Sequence, residues 1–105
     1  MNKYYTENGI FEGKTYNCDW GRLHRLDGPA VEKANGTKEW WVNGIRHRED
    51  GPAIEYDDGI KHWWVNGKQH RIDGPAAEFT DGSKEWWVEG KYLSEEDFKK
   101  LYNNI

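Results

Sequence analysis

Three times the chain places a histidine, an arginine and an aspartate within four positions: His24-Arg25-Leu26-Asp27, His47-Arg48-Glu49-Asp50 and His70-Arg71-Ile72-Asp73. A row of guanidiniums can grip phosphates or carboxylates through forked, bidentate bonds. Imidazole beside carboxylate is also the chemistry of a metal site. Paired glutamates, such as Glu32 with Glu39 or Glu78 with Glu85, are the chemistry of acid–base catalysis. The spacing argues against both. Zinc wants three or four ligands converging at about 2 Å, whereas these histidines recur some strands apart. Catalysis needs one asymmetric constellation, and every candidate here is present in triplicate, with no nucleophile pattern and no phosphate-binding glycine loop. No catalytic residue, metal or cofactor is expected. For the arginines, the alternative to ligand binding is neutralisation of the repeat's own glutamates. Residues identical in every copy usually serve the stacking of copies. The polar positions that vary, Arg22, Arg46, His62 and Gln69, are therefore the stronger binding candidates, with Arg48 and Arg71 beside them.

The tryptophans carry more information. They come as adjacent pairs, Trp40-Trp41, Trp63-Trp64 and Trp86-Trp87. Neighbouring side chains in a strand point to opposite faces, so each pair must serve two surfaces. One ladder belongs to a core. The other, Trp41, Trp64 and Trp87, is the candidate recognition surface, since aromatic residues and arginine are what binding hot spots favour and indole faces stack on nucleobases. A homodimer interface is the alternative use of the same ladder.

These residues must be held by a small, hydrophilic chain. Its 105 residues make one domain. A mean hydropathy of −1.14 would suit disorder, but an aromatic share of 15 % argues for a folded chain. The net charge of −4 is a poor match for duplex nucleic acid. Cys18 is the single cysteine, so no intrachain disulfide forms and a reducing, cytoplasmic setting is expected. The first residues lack the apolar core of a signal peptide, and nothing resembles a membrane span. Membrane-surface association is disfavoured by the acidic balance and the lack of a basic amphipathic stretch.

The Gly-Pro-Ala triplets beginning at Gly28, Gly51 and Gly74 recur at a constant offset of 23 residues, as do the histidines and tryptophans above. Three copies run 24–46, 47–69 and 70–92; residues 1–23 read as a degenerate fourth copy, and 93–105 as a C-terminal helical cap. In that cap Ser94 is the capping residue, and Phe98, Leu101 and Tyr102 lie at helical spacing to cover the last repeat. Within a copy, short strands are split by Asn-Gly or Asp-Gly turns. If each turn is a two-residue loop, Asn35-Gly36 sets Val31 against Trp40, Ala30 against Trp41 and Glu32 against Glu39. By the same counting Asn43-Gly44 sets Val42 against Ile45, Trp41 against Arg46, Trp40 against His47 and Glu39 against Arg48. Val31, Trp40, Val42, Ile45, Ile54, Trp63 and Val65 then form the core face. The opposite face carries Trp41, Trp64 and Trp87, each opposite an alanine, with Arg46, Arg48, His62, Gln69 and Arg71 around them. A one-residue slip in register would exchange these faces.

The spacing resembles the membrane occupation and recognition nexus (MORN) repeat, on the strength of residues 10–92. "EWWVNG" is similar to that family's aromatic strand between glycine turns, and "DGPA" stands where the family has Gly-x-Gly. Strings of the form "HRxDGPAxE" are also similar to repeat proteins of bacteriophages and giant viruses. The resemblance implies an elongated antiparallel β-meander that binds partners and has no catalytic residues. The expectation is therefore an all-β meander of MORN-like hairpins with a short capping helix, acting as a non-catalytic binding protein. Its partner would be a nucleotide-type ligand, sequestered by a viral counter-defence protein, or a masked host protein. The alternative is a structural protein–protein or homodimerisation module.

Overall fold

The computed structural model describes residues 1–102; the last three residues of the expected cap, 103–105, lie outside the described residues. An N-terminal hairpin joins β1 (Asn2–Thr6) to β2 (Gly9–Gly13), and a 3-10 turn at Cys18–Trp20 follows. The first repeat supplies β3 (Val31–Glu32), β4 (Lys38–Glu39), β5 (Trp41–Val42) and β6 (Ile45–Arg46). The second supplies β7 (Ile54–Glu55), β8 (Lys61–His62), β9 (Trp64–Val65) and β10 (Lys68–Gln69). The third supplies β11 (Ala77–Glu78), β12 (Lys84–Val88) and β13 (Lys91–Leu93), and α1 (Glu95–Tyr102) ends the described chain. Nine strands form one antiparallel meander, ordered β13-β12-β11-β8-β7-β4-β3-β1-β2, with β5–β6 and β9–β10 as hairpins alongside. The all-β meander with one short C-terminal helix is the architecture the sequence foretells.

Its register is not. Two kinds of glycine turn alternate. At the first kind Asn43, Asn66 and Glu89 have φ of 52°, 52° and 51°, and the following glycines are also positive, which is the two-residue hairpin loop. There the expected pairs Trp41–Arg46 and Val42–Ile45 form. At the second kind only the glycine is positive: Gly36, Gly59 and Gly82, at 98°, 98° and 87°. The loop gains one residue, closed by Lys33 N–H donating to the Thr37 carbonyl at 2.9 Å, while Asn35 Oδ1 accepts from Thr37 N–H at 2.9 Å. Val31 therefore pairs with Glu39 and Glu32 with Lys38, instead of Trp40 and Glu39.

That single residue redistributes the faces. Val31 and Ile54 pass to the side of Trp41 and Trp64, and Trp41 packs against the buried cluster that contains Val31. The alanines move to the side of the other ladder: Trp40 N–H donates to the Ala53 carbonyl and Trp63 N–H to the Ala76 carbonyl, both at 2.8 Å. Ala30, Ala53 and Ala76 are wholly buried. Ile45, expected in the core, is exposed.

The ends close the stack in two ways. Tyr4 pairs with Val31 as Glu39 pairs with Ile54, and Tyr5 N–H donates to the Ala30 carbonyl as Trp40 does to Ala53. The repeat-like strand of the N-terminal segment is thus β1, and not the "EGKTYNCDWG" stretch at 12–21, which stands one 23-residue offset before the turns and aromatic strand of the first full copy. At the other end Ser94 Oγ accepts from Asp97 N–H at 3.1 Å, starting α1, and buried Phe98 lies 6.4 Å from Trp86 between ring centroids. The Tyr102 ring lies tilted against Phe98, 5.3 Å between centroids, but Leu101, expected to cover the last repeat, is 63 % exposed. The molecule measures 45 × 27 × 19 Å, and no helix among the described residues is long and apolar enough to cross a membrane.

Candidate functional site

Each arginine of the His-Arg-x-Asp units is consumed by its own repeat. Arg48 Nε donates to Asp50 Oδ1 at 3.0 Å and Nη1 to the Pro52 carbonyl at 3.0 Å and Glu55 Oε2 at 3.1 Å. Its Cζ lies 3.9 Å over the Trp40 ring. Arg71 repeats the arrangement with Asp73, Pro75 and Glu78 over Trp63, and Arg25 repeats it with Asp27, Pro29 and Glu32 over Tyr5. This explains the glycine of "DGPA": a Cβ at Gly51 would stand 2.8 Å from the Arg48 Cζ, with a backbone that needs no left-handed φ. The hydrogen bond from the guanidinium holds the Asp27 and Asp73 carboxyls below the usual carboxylate range. The expected Glu39–Arg48 pair does not form; Arg48 and Arg71 sit on the Trp40–Trp63 side, with their forks filled. The first tryptophan of each pair is therefore a platform for the next repeat's guanidinium, and Phe98 takes that place over Trp86.

Each histidine ties the start of its own copy to the glycine turn near that copy's end. Asn43 N–H donates to His24 Nδ1 at 2.9 Å, Asn66 N–H to His47 Nδ1 at 2.9 Å and Glu89 N–H to His70 Nδ1 at 3.0 Å. With Nδ1 accepting from a backbone donor, the ring proton resides on Nε2. Among the described residues no three His, Cys, Asp or Glu side chains gather as metal ligands.

The second ladder is interleaved. Arg46 lies between two indoles, its Cζ 4.7 Å from the Trp41 ring centre and 5.2 Å from that of Trp64. The equivalent places in the next copies are Gln69, paired with Trp64, and Tyr92, which meets Trp87 edge-on at 5.5 Å. Beneath the indoles runs a polar row, Glu39, His62 and Glu85. Trp41 Nε1 donates to Glu39 Oε1 at 2.9 Å, and Trp87 Nε1 donates to Glu85 Oε1 at 3.0 Å. His62 breaks the row. It is wedged between Tyr56 and Phe79, both edge-on. Burial holds its pKa below the ordinary value, with Arg46 acting in the same direction and Glu85 opposing. Trp64 Nε1 and Arg46 Nε are buried and have no acceptor among the described residues.

Of the expected binding residues, Trp41, Trp64, Trp87, Arg46, His62 and Gln69 are thus brought to one face. Arg22 is not. It is bound to Glu7, with Nη2 3.1 Å from Oε1, and its stem lies against Gly44 at the outer side of that turn. The hydrogen bond from Arg22 depresses the Glu7 pKa. Sequence reasoning missed Tyr56, Phe79 and Tyr92, because it sought charged and amide side chains at the positions that vary between copies, and these three are aromatic. No protein-family model, curated protein or solved structure matches the chain. The class that fold and site define is an antiparallel repeat sheet with an aromatic ladder over an acidic row that His62 interrupts.

Proposed function

We propose that the protein is a non-catalytic binding protein that captures a planar, anionic, acceptor-rich ligand on the Trp41–Trp64–Trp87 face. The observation that supports it is the pair of buried donors at the centre of that face, Trp64 Nε1 and Arg46 Nε. An unsatisfied buried donor costs about 1–3 kcal/mol, and both flanking repeats avoid that cost with a glutamate. Arg46 is the movable part. Its side chain is 26 % exposed and stands 3.7 Å from Glu39, longer than a hydrogen bond. Swung outward, it leaves a slot between two indoles and presents its fork to an anion. A nucleotide-type ligand suits this chemistry, with its base between the rings and its phosphate on Arg46. In a viral protein the act would be sequestration of a host ligand. The test is native mass spectrometry on protein purified gently from cells, with the denatured extract scanned for ultraviolet-absorbing small molecules. A nucleotide adduct on the monomer, lost in Arg46→Ala while circular dichroism is unchanged, is the expected result. A homodimer without adduct overturns it and makes the ladder a self-association surface.

A further inference from the structure

On the opposite side, successive His-Arg-x-Asp loops leave a gap, and the gap is repeated. One cleft of about 600 Å³ has Trp40 and Val42 as its floor and the loops of Asp27 and Asp50 as its walls. The next, of about 640 Å³, has Trp63 and Val65 as its floor and the loops of Asp50 and Asp73 as its walls. Glu49 lines both, and Leu26 and Ile72 form the outer lips. The walls are negative. Asp27, Asp50, Asp73 and Glu49 are 87, 86, 82 and 80 % exposed at their side chains. Each arginine behind them is already shared between an aspartate and a glutamate of its own repeat. What the row presents to solvent is therefore carboxylate beside apolar floor.

The distance between the clefts selects the occupant's conformation. Each repeat adds two strands to the main sheet, so the clefts follow each other at about 9.5 Å. A β-strand turns successive side chains to opposite faces, and its same-face residues are about 6.7 Å apart, which fits one cleft and misses the next. A polyproline II helix brings every third residue to the same side at about 9.3 Å. We infer that the cleft row is a docking site for a proline-rich, basic segment in polyproline II conformation. Prolines spaced by three would rest on Trp40–Val42 and Trp63–Val65, and arginine or lysine side chains spaced by three would run along Asp27, Glu49–Asp50 and Asp73. This site is independent of the ladder face.

The probe is a capped nine-residue peptide, (Pro-Pro-Arg)3, titrated into the full chain while the indole N–H signals are followed by NMR. The signals of Trp40 and Trp63 should shift, those of Trp41, Trp64 and Trp87 should stay, and added salt should weaken the response. Glu49→Arg, an exposed position outside every packing contact described above, should weaken binding roughly tenfold. Arg46→Ala should leave it unchanged. Three outcomes overturn the inference: no shift at millimolar peptide, an equal response to (Pro-Pro-Glu)3, or full binding by Glu49→Arg.

Discussion

His62 occupies the place that Glu39 and Glu85 hold in the neighbouring copies, and the consequences reach two other side chains. Trp64 loses the acceptor that Trp41 and Trp87 have, and Arg46 keeps only the distant Glu39. His62→Glu should therefore raise stability by about 1 kcal/mol, the worth of a restored buried hydrogen bond. For a chain of this size that is a rise of roughly 4–8 °C in melting temperature, read in a thermal melt. The same change should abolish ligand capture on the ladder face, because it supplies from within what the ligand would supply. A melt that is unchanged or lower would mean that the indole is not short of an acceptor. The imidazole also makes stability depend on pH. Burial depresses its pKa below the ordinary 6.5, so just below that pH the unfolded chain holds a proton that the folded chain lacks. Stability from this group is complete above pH 6.5 and declines as pH falls through the depressed folded value. His62→Gln should flatten that part of the profile and leave intact the acid branch below it, where the lowered carboxyls of Glu7, Asp27, Asp73 and Asp81 titrate.

At the scale of elements, the stack is held by devices that differ in how plainly the sequence displays them. The strands, the repeat length and the start of α1 are legible, because glycine turns, tryptophan pairs and Ser94 each have a local physical signature. The register is not. Asn35-Gly36 and Asn43-Gly44 are the same dipeptide, yet one closes a three-residue loop and the other a two-residue loop. The difference lies in Asn35, Asp58 and Asp81, whose side chains each accept the backbone N–H two residues on and hold the longer turn. That preference changes which alanines and valines share a face with which tryptophan, and so moved Val31 and the whole alanine row. The site was legible in part for the same reason: Arg46, His62 and Gln69 stand out as variable positions, while the orphaned donors emerge only once Trp64 is placed. The N-terminal strand escaped notice because Tyr4-Tyr5 carries the repeat's geometry without its spacing. The C-terminal cap makes the clearest prediction at this scale. Phe98 is 1 % exposed and stands where another repeat's arginine would cover Trp86, whereas Leu101 points outward. Phe98→Ala should cost about 3 kcal/mol in urea denaturation, and Leu101→Ala less than about 0.5 kcal/mol. Similar losses from the two would show that α1 docks by another side.

The whole molecule is a row in which the same contacts recur at the 23-residue offset. His24 to Asn43, His47 to Asn66 and His70 to Glu89 are one hydrogen bond written three times, each within its own copy, while each arginine seated on a tryptophan joins one copy to the next. Such a stack has a stability close to the sum of its copies and their interfaces, with the ends supplied separately by β1–β2 and α1. A second copy of residues 47–69 inserted after Gln69 should therefore fold. The new His-Arg-x-Asp loop meets a Trp63-Trp64 strand on one side and the original third repeat on the other, both with partners already matched. The long dimension of 45 Å should increase by about 9.5 Å, the advance of two strands, in small-angle scattering. The melting temperature should rise, because one more interface is added and no end is added. The insertion also adds a third cleft to the acidic row at the same pitch. A polyproline II peptide gains one matched contact for every three residues, so (Pro-Pro-Arg)4 should bind the lengthened chain more tightly than (Pro-Pro-Arg)3 does, while the natural chain should hardly distinguish them. An inserted chain that melts lower would show that the copies are not interchangeable. One that is longer and more stable, yet indifferent to peptide length, would show that the clefts do not act in register.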